Sequence, residues 1–272
     1  MTAHRLAVWG DPISHSRSPQ LHAAAYRVLG LDWEYSRRQV DENGFAEALG
    51  GLDGSWRGLS LTMPLKEQAR LAAESLDPHA ELTGAVNTLL LDETLRGFNT
   101  DVGGIVDALG DEGLTAVDRV RILGAGATAA SALVAAAEMG AAAVDVRARR
   151  PDRAAPLVAL GHRLGLDVSA RDLRADAEPV DLTIAALPGG ASVDEDAVRA
   201  LSTTGGALFD VAYSPWPSAL AAAWGGGPAI SGLGMLLHQA VRQIRVFLSG
   251  DPSRRLPDED AVVAAMRAVL AS

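Results

Sequence analysis

Lysine occurs once in this chain, at Lys66, although Lys and Arg together number 24. Arginine keeps its proton in a protein, whereas a lysine amine can give or take one. Among the 24 Lys and Arg residues, Lys66 is therefore the one able to act as acid or base. It closes the run Ser60-Leu61-Thr62-Met63-Pro64-Leu65-Lys66. Pro64 is placed to open a helix, which puts Lys66 in the first turn. The helix dipole favours anions there and opposes a cation, so structure alone would call for Asp or Glu. A misplaced lone lysine at a strand end points to chemistry. Its natural anionic partner is Asp101, in Gly97-Phe98-Asn99-Thr100-Asp101. Asn87, in Gly84-Ala85-Val86-Asn87-Thr88, falls at the facing end of the same hairpin pattern. Asn99 reads as a cap for the helix that follows.

A second group is His15-Ser16-Arg17-Ser18-Pro19. Ser18 before Pro19 has the form of an N-cap with Pro at the first helical position. Capping would account for Ser18 but not for Ser16. Two hydroxyls beside free helix N–H groups make a cradle for a small anion such as a carboxylate.

A third group is the loop Gly124-Ala125-Gly126-Ala127-Thr128-Ala129, after the apolar run Val120 to Leu123. Gly-x-Gly-x-x-Ala between a strand and a helix is a dinucleotide fingerprint. The first Gly makes the turn, the second admits a pyrophosphate, and the small third residue lets helix and strand pack closely. An NAD site would carry Asp or Glu at the end of the next strand. Here the segment is Arg147-Ala148-Arg149-Arg150-Pro151-Asp152-Arg153, and Asp145 comes two residues too early. Guanidinium groups fork a phosphate, which favours NADP.

These groups need elements to position them. Strand-like runs are Leu6 to Trp9, Trp33 to Val40 and Gly58 to Leu61. Helix-like stretches at Pro19 to Leu29, Glu42 to Leu49 and Pro64 to Ser75 alternate with them. The expected hairpin is Ala85 to Leu91 with Thr94 to Asn99, so the first sheet is expected to be mixed. From about residue 103 the pattern becomes a run of βα units, with strands at Ala142 to Arg147, Val180 to Ala185, Ala207 to Val211 and Pro228 to Ile230. The Ala-rich stretch after the glycine loop reads as a buried helix running to Met139. Two final helices, Met235 to Leu248 and Asp258 to Ala271, are expected to return to the first domain.

Composition narrows the function. The chain has 272 residues, room for two medium domains, and a formal net charge of −10 with no basic cluster. That argues against nucleic acid and anionic membrane as partners. With no cysteine there is no disulfide, thiolate nucleophile or Cys-based metal site. No metal is expected either, since no His cluster has ligand spacing; His15, His22 and His238 read as structural or supporting. The start of the chain lacks a signal-peptide pattern and no stretch is long enough to span a membrane, so a cytoplasmic protein is expected.

Taken together, His-Ser-x-Ser-Pro, Thr-x-Pro-x-Lys, Gly-Ala-x-Asn-Thr and Asn-Thr-Asp, ahead of a Rossmann-like half, resemble the shikimate dehydrogenase family. The likeness continues through Asp210-Val211-Ala212-Tyr213 and Gly232-Leu233-Gly234-Met235-Leu236-Leu237-His238-Gln239-Ala240, and spans essentially the whole chain. It implies an α/β protein with a mixed-sheet substrate domain (1–102 and 235–272) and a Rossmann-like NADP domain (103–234). It implies reversible, NADPH-dependent reduction of 3-dehydroshikimate to shikimate, on the way to aromatic amino acids. Lys66 and Asp101 would be the catalytic pair. Ser16, Ser18 and Tyr213 would hold the carboxylate, and Thr62, Asn87 and Gln239 the ring hydroxyls. Gly124, Gly126 and Ala127 would hold the pyrophosphate, with Arg149 and Arg153 near the 2′-phosphate and Gly232 and Met235 near the nicotinamide. A monomer or homodimer is expected.

Three positions depart from the family pattern: Ser60 and Ala148, where many relatives have Asn, and the run Ala186-Leu187-Pro188-Gly189. The competing readings are a quinate/shikimate or aminoshikimate dehydrogenase, a methylene-tetrahydrofolate dehydrogenase of similar plan, and a non-catalytic NADP-binding sensor. Ser18, where quinate users typically have Thr, favours shikimate.

Overall fold

The computed structural model describes residues 4–187 and 193–271; Pro188 and Gly189 lie outside them. The chain divides into two compact units, one formed by residues up to Gly104 and from Leu236 onward, the other by Ile105–Met235.

The first unit contains β1 (His4–Gly10), α1 (Ser18–Leu29), β2 (Trp33–Gln39), α2 (Phe45–Gly50), β3 (Trp56–Leu61), α3 (Lys66–Ala72), β4 (Ser75–Leu76), α4 (Pro78–Thr83), β5 (Thr88–Leu91) and β6 (Leu95–Phe98). Its sheet runs β2-β1-β3-β5-β6-β4. It is mixed, as expected: β1 pairs parallel to β2 and β3, while β5 pairs antiparallel to β3 and β6.

Period-two alternation assigns each strand residue a face. Ala7, Trp9, Leu59 and Leu61 share one buried cluster with Phe45, Ala48, Ala69 and Ala80 of α2, α3 and α4. Leu6, Val8 and Tyr35 point the other way, into a cluster with Leu21 and Ala25 of α1. That cluster also takes Ile244 and Phe247 of α10 (Leu233–Ser249) and Val262 and Met266 of α11 (Glu259–Leu270). The sheet is thus covered on both faces, and the C-terminal helices complete the second cover.

Between these segments come α5 (Asp101–Asp111), β7 (Arg119–Leu123), α6 (Ala127–Glu138), β8 (Ala143–Arg147), a 3-10 turn (Pro151–Ala154), α7 (Ala155–Arg163), β9 (Asp167–Arg171), β10 (Leu182–Ala185), α8 (Glu195–Thr203), β11 (Ala207–Asp210), α9 (Ala219–Ala222) and β12 (Ala229–Ser231). Their sheet has the order β12-β11-β10-β7-β8-β9 and is parallel throughout. This is the doubly wound arrangement with its topological switch beside β7.

Several boundaries differ from expectation. The third helix starts at Lys66 rather than Pro64, because Thr62 to Leu65 closes a turn of its own, Leu65 N donating to Thr62 O at 2.8 Å. It also stops at Ala72, and Ser75 belongs to a short strand beside β6. Strand β5 begins only at Thr88, because Val86 N instead donates to Lys66 O at 3.0 Å. Among the described residues no helix is long and apolar enough to cross a membrane.

Candidate active site

The carboxyl ends of β1, β3 and β6 and the start of β5 meet at one edge of the first sheet. Asp11 N donates to Met63 O at 3.0 Å, joining the loops that leave β1 and β3. Leu61 N donates to Asn87 O at 2.7 Å, and Asn87 N to Phe98 O at 3.0 Å. Open α/β sheets characteristically bind ligands outside such ends.

Lys66 and Asp101 come together there. Lys66 Nζ donates to Asp101 Oδ2 at 2.5 Å, and the side chains are 14% and 6% exposed. Each residue is the first of its helix, α3 and α5. The free N–H groups of a helix start disfavour the cation and favour the anion, so the carboxylate offsets the misplaced ammonium. Asn87 Nδ2 donates to the other oxygen, Asp101 Oδ1, at 2.7 Å. Asn99 Oδ1 accepts from Asp101 N at 3.0 Å, so Asn99 supports the start of α5 as read from sequence. Asp101 is therefore fixed at both oxygens and along its backbone.

Asn87 is itself fully engaged. Its amide also donates to Thr100 Oγ1 at 2.9 Å, and its Oδ1 accepts from Thr100 N at 2.9 Å and Thr88 Oγ1 at 2.8 Å. A ring hydroxyl would have to displace one of these partners to bind it. Thr62 follows β3 directly, and among the described residues its hydroxyl has no protein partner. Gln239 lies buried on α10 and donates to Leu236 O at 3.0 Å.

The serine pair is arranged differently from the expected cap. Helix α1 begins at Ser18 with Arg17 at the N-cap position, and no side chain caps it. Ser16 Oγ accepts from Ser18 N at 3.3 Å, and the Ser18 hydroxyl faces the Tyr35 phenol. Ser16 thus tends the backbone, and Ser18 joins a buried chain. Tyr35 Oη donates to Ser60 Oγ at 2.7 Å, and Ser60 Oγ to Gln243 Oε1 at 2.8 Å. Gln243 Nε2 donates to Asn87 O at 3.3 Å. Burial pushes the Tyr35 phenol well above its ordinary pKa, against the opposing bonds from Ser60 and Ser18, so it stays protonated. Sequence reasoning singled out Ser60 as a departure but missed Tyr35, Thr100 and Gln243. Thr100 sat inside a quoted motif. Gln243 lies one turn beyond Gln239 and shares its helix face.

In the second unit the glycine loop fits a pyrophosphate. Gly124 has φ +121, and a Cβ there would lie 2.7 Å from Ala186 O, so only glycine suits the turn. Gly126 is the N-cap of α6, no side chain caps that end, and a Cβ at Gly126 would point into open space. Gly126 and Ala127 are exposed. The N–H groups that open a 12-residue helix therefore face an accessible loop. Asp145 is occupied elsewhere: it binds the fully buried Arg121 at 3.0 Å and Arg147 at 2.7 Å. Arg149 and Arg153 are exposed at the turn after β8, and among the described residues neither forms an ion pair. Gly232 is explained by packing, since a Cβ would come within 2.2 Å of Val211 O. Met235 is buried. Tyr213 lies half-buried just after Asp210, whose carboxylate accepts from Ala212 N at 3.0 Å and Ser218 Oγ at 2.5 Å.

A parallel, doubly wound unit with a glycine loop, joined to a mixed-sheet unit carrying a Lys–Asp pair, defines a two-unit α/β protein of the dehydrogenase kind. Residues 8–89 match the family model described as the shikimate dehydrogenase substrate binding domain. The chain is 36% identical to the shikimate dehydrogenase (NADP(+)) of Methylobacterium radiotolerans over 96% of both chains. It is 34% identical to that of Methanothermobacter thermautotrophicus, over 92% of each. Among solved structures it is similar to Mycobacterium tuberculosis shikimate dehydrogenase, with a TM-score of 0.83, 39% identity, and coverage of 97% of this chain and 99% of that one. It is also similar to a Thermus thermophilus shikimate 5-dehydrogenase in complex with NADP(H) and shikimate, with a TM-score of 0.78, 31% identity, and coverage of 98% and 99%. The chain belongs to the shikimate dehydrogenase family.

Proposed function

We propose that this chain is an NADP-dependent shikimate dehydrogenase, reducing 3-dehydroshikimate reversibly to shikimate on the route to aromatic amino acids. The observation that carries the reading is the Lys66–Asp101 pair, 2.5 Å apart and held at the strand-end edge of the first unit. Relatives that align with nearly the whole chain carry this activity in their names. The cofactor, when bound, supplies the hydride that reduces the ring ketone.

The chain's own residues do the rest. As negative charge builds on the ketone oxygen, the Lys66 ammonium stabilises it and delivers a proton. In the opposite direction Lys66 takes the hydroxyl proton. Asp101 aims the amine, and Asn87 keeps Asp101 from turning away. The hydroxyls of Ser16 and Ser18 receive the substrate carboxylate, and Tyr213 keeps its assignment to the same group. Thr62 and Gln239 bind ring hydroxyls, with Asn87 contributing through its hold on Asp101. Gly124, Gly126 and Ala127 take the pyrophosphate, and Arg149 and Arg153 the 2′-phosphate. Gly232 and Met235 remain assigned to the nicotinamide end. The first unit is then the substrate domain and the second the NADP domain. A cytoplasmic monomer or homodimer belongs to the same proposal.

The test is a matrix of initial rates with shikimate, quinate and an amino analogue, each with NADP and with NAD. Shikimate with NADP is expected to dominate. Cofactor binding with no turnover of any acid would overturn the reading in favour of a sensor. A quinate rate equal to that for shikimate would move it to the broader quinate/shikimate activity.

A further inference from the structure

Arg17 stands between the two serines of the carboxylate cradle, where a cation would be expected to meet the incoming anion itself. Its guanidinium goes elsewhere. Nη2 donates to Val269 O at 2.8 Å and Nη1 to Leu270 O at 3.2 Å. These are the last carbonyls of α11. The final carbonyls of a helix lack intrahelical partners and form the negative end of its dipole, so a guanidinium fork is well matched there. The backbone of Arg17 meanwhile starts α1: its carbonyl accepts from Leu21 N at 3.2 Å. One residue therefore links the start of α1 to the end of α11. The two helices are joined along their length as well, through Leu21 and Ala25 on one and Val262 and Met266 on the other. Arg37 of β2 holds the same loop from another element, donating to the carbonyls of Ser14 and Ser16.

We propose that Arg17 is a positioning residue: by clamping the end of α11 it holds Ser16 and Ser18 in the orientation that receives the substrate carboxylate. Through this clamp the last turn of the C-terminal helix, remote in sequence, sets the affinity for the acid. The inference rests on the assignment of Ser16 and Ser18 to the carboxylate. Arg17 touches neither substrate nor cofactor in this account. Its loss should therefore act on binding of the acid and leave the chemical step alone.

The test compares wild type, Arg17→Met and Arg17→Lys in full-length protein, with shikimate and with its methyl ester. Displacing an oriented hydroxyl pair by a fraction of an ångström is expected to raise the KM for shikimate about tenfold in Arg17→Met. The kcat and the KM for NADP should stay near wild type. The ester, which brings no charge to the cradle, should show a much smaller change. Arg17→Lys should recover part of the loss, because an ammonium can reach one of the same carbonyls. A second variant, Ala268→Gly with Val269→Gly, frays the last turn of α11. It should reproduce the KM rise, and adding Arg17→Met to it should raise KM little further, as expected for residues acting through one contact. A fall in Tm with an unchanged KM would overturn the proposal, as would equal losses for acid and ester or additive effects of the two changes. Absence of shikimate turnover in the wild type would instead sink the parent reading, and this inference with it.

Discussion

Lys66 occupies the first position of α3, where helix electrostatics oppose it, and Asp101 occupies the first position of α5, where they support it. The resulting pair is asymmetric: Asn87 holds the Asp101 carboxylate and Asn99 its backbone N–H, and that carboxylate aims an amine that, among the described residues, no other side chain restrains. A different titration is built in beside the serine pair. His22 of α1 is fully buried, stacked 3.8 Å from the Tyr35 ring, with Nδ1 3.0 Å from Tyr26 Oη. Burial lowers its pKa to about 3, against a smaller opposing effect of the Gln243 side chain. The ring is neutral when folded and charged when unfolded between those values. Its contribution is therefore complete above about pH 6.5 and is lost as pH falls toward about 3, at up to ~1.4 kcal/mol per pH unit. Urea midpoints of wild type and His22→Gln, measured from about pH 4 to pH 7, should show a shallower acid slope in the variant. Parallel slopes would mean that His22 takes up its proton while folded. Lys66 was legible in the sequence because residue type and helix position conflicted there, and Asp101 as the acid placed to partner it after the hairpin pattern. The Asn87 clamp and the Tyr35–Ser60–Gln243 chain were not legible, since their partners lie on strands and helices far apart in sequence. Ser18 was misread as a cap because a Ser-Pro pair looks the same whether the serine precedes the helix or begins it.

At the scale of elements, the central strands were legible from apolar runs, and the last two helices as long helix-like stretches. Short pieces were missed. Strand β4 has two residues, and α4 offers only Asp77 and Pro78 as a start signal. Helix α11 shows how an element is held by its ends. At its start Glu259 binds Arg245 through two bonds of 2.7 and 2.8 Å, with side chains 7% and 13% exposed. Burial alone would push this carboxyl up. The hydrogen bonds from Arg245, the Leu256 N–H and Arg255 outweigh it and hold the pKa at about 2. That stabilisation is present above the unfolded value of about 4.5 and is lost as pH falls through about 2. Glu259→Gln leaves the Arg245 charge nearly buried and unpaired, so a loss of about 3 kcal/mol at neutral pH is expected. Denaturant unfolding measures it, and a change under about 0.5 kcal/mol would place Glu259 among ordinary surface ion pairs.

For the whole molecule, the switch from mixed to parallel sheet follows a visible switch in sequence, from hairpin signals to repeated βα units. Under the proposed function the two units carry separable tasks. One presents an amine, a carboxylate and two hydroxyls; the other presents helix N–H groups and arginines. Under the proposed function Lys66 does more than carry charge, which would account for the one lysine in a chain so rich in arginine. The direct measurement is shikimate oxidation with NADP by wild type and Lys66→Arg side by side, with NADP affinity measured separately for each. Arginine keeps the charge and cannot accept the proton, so turnover should fall by about 10²-fold or more while NADP affinity is unchanged. Near-wild-type turnover in Lys66→Arg would contradict the account and leave Lys66 as a fixed charge alone.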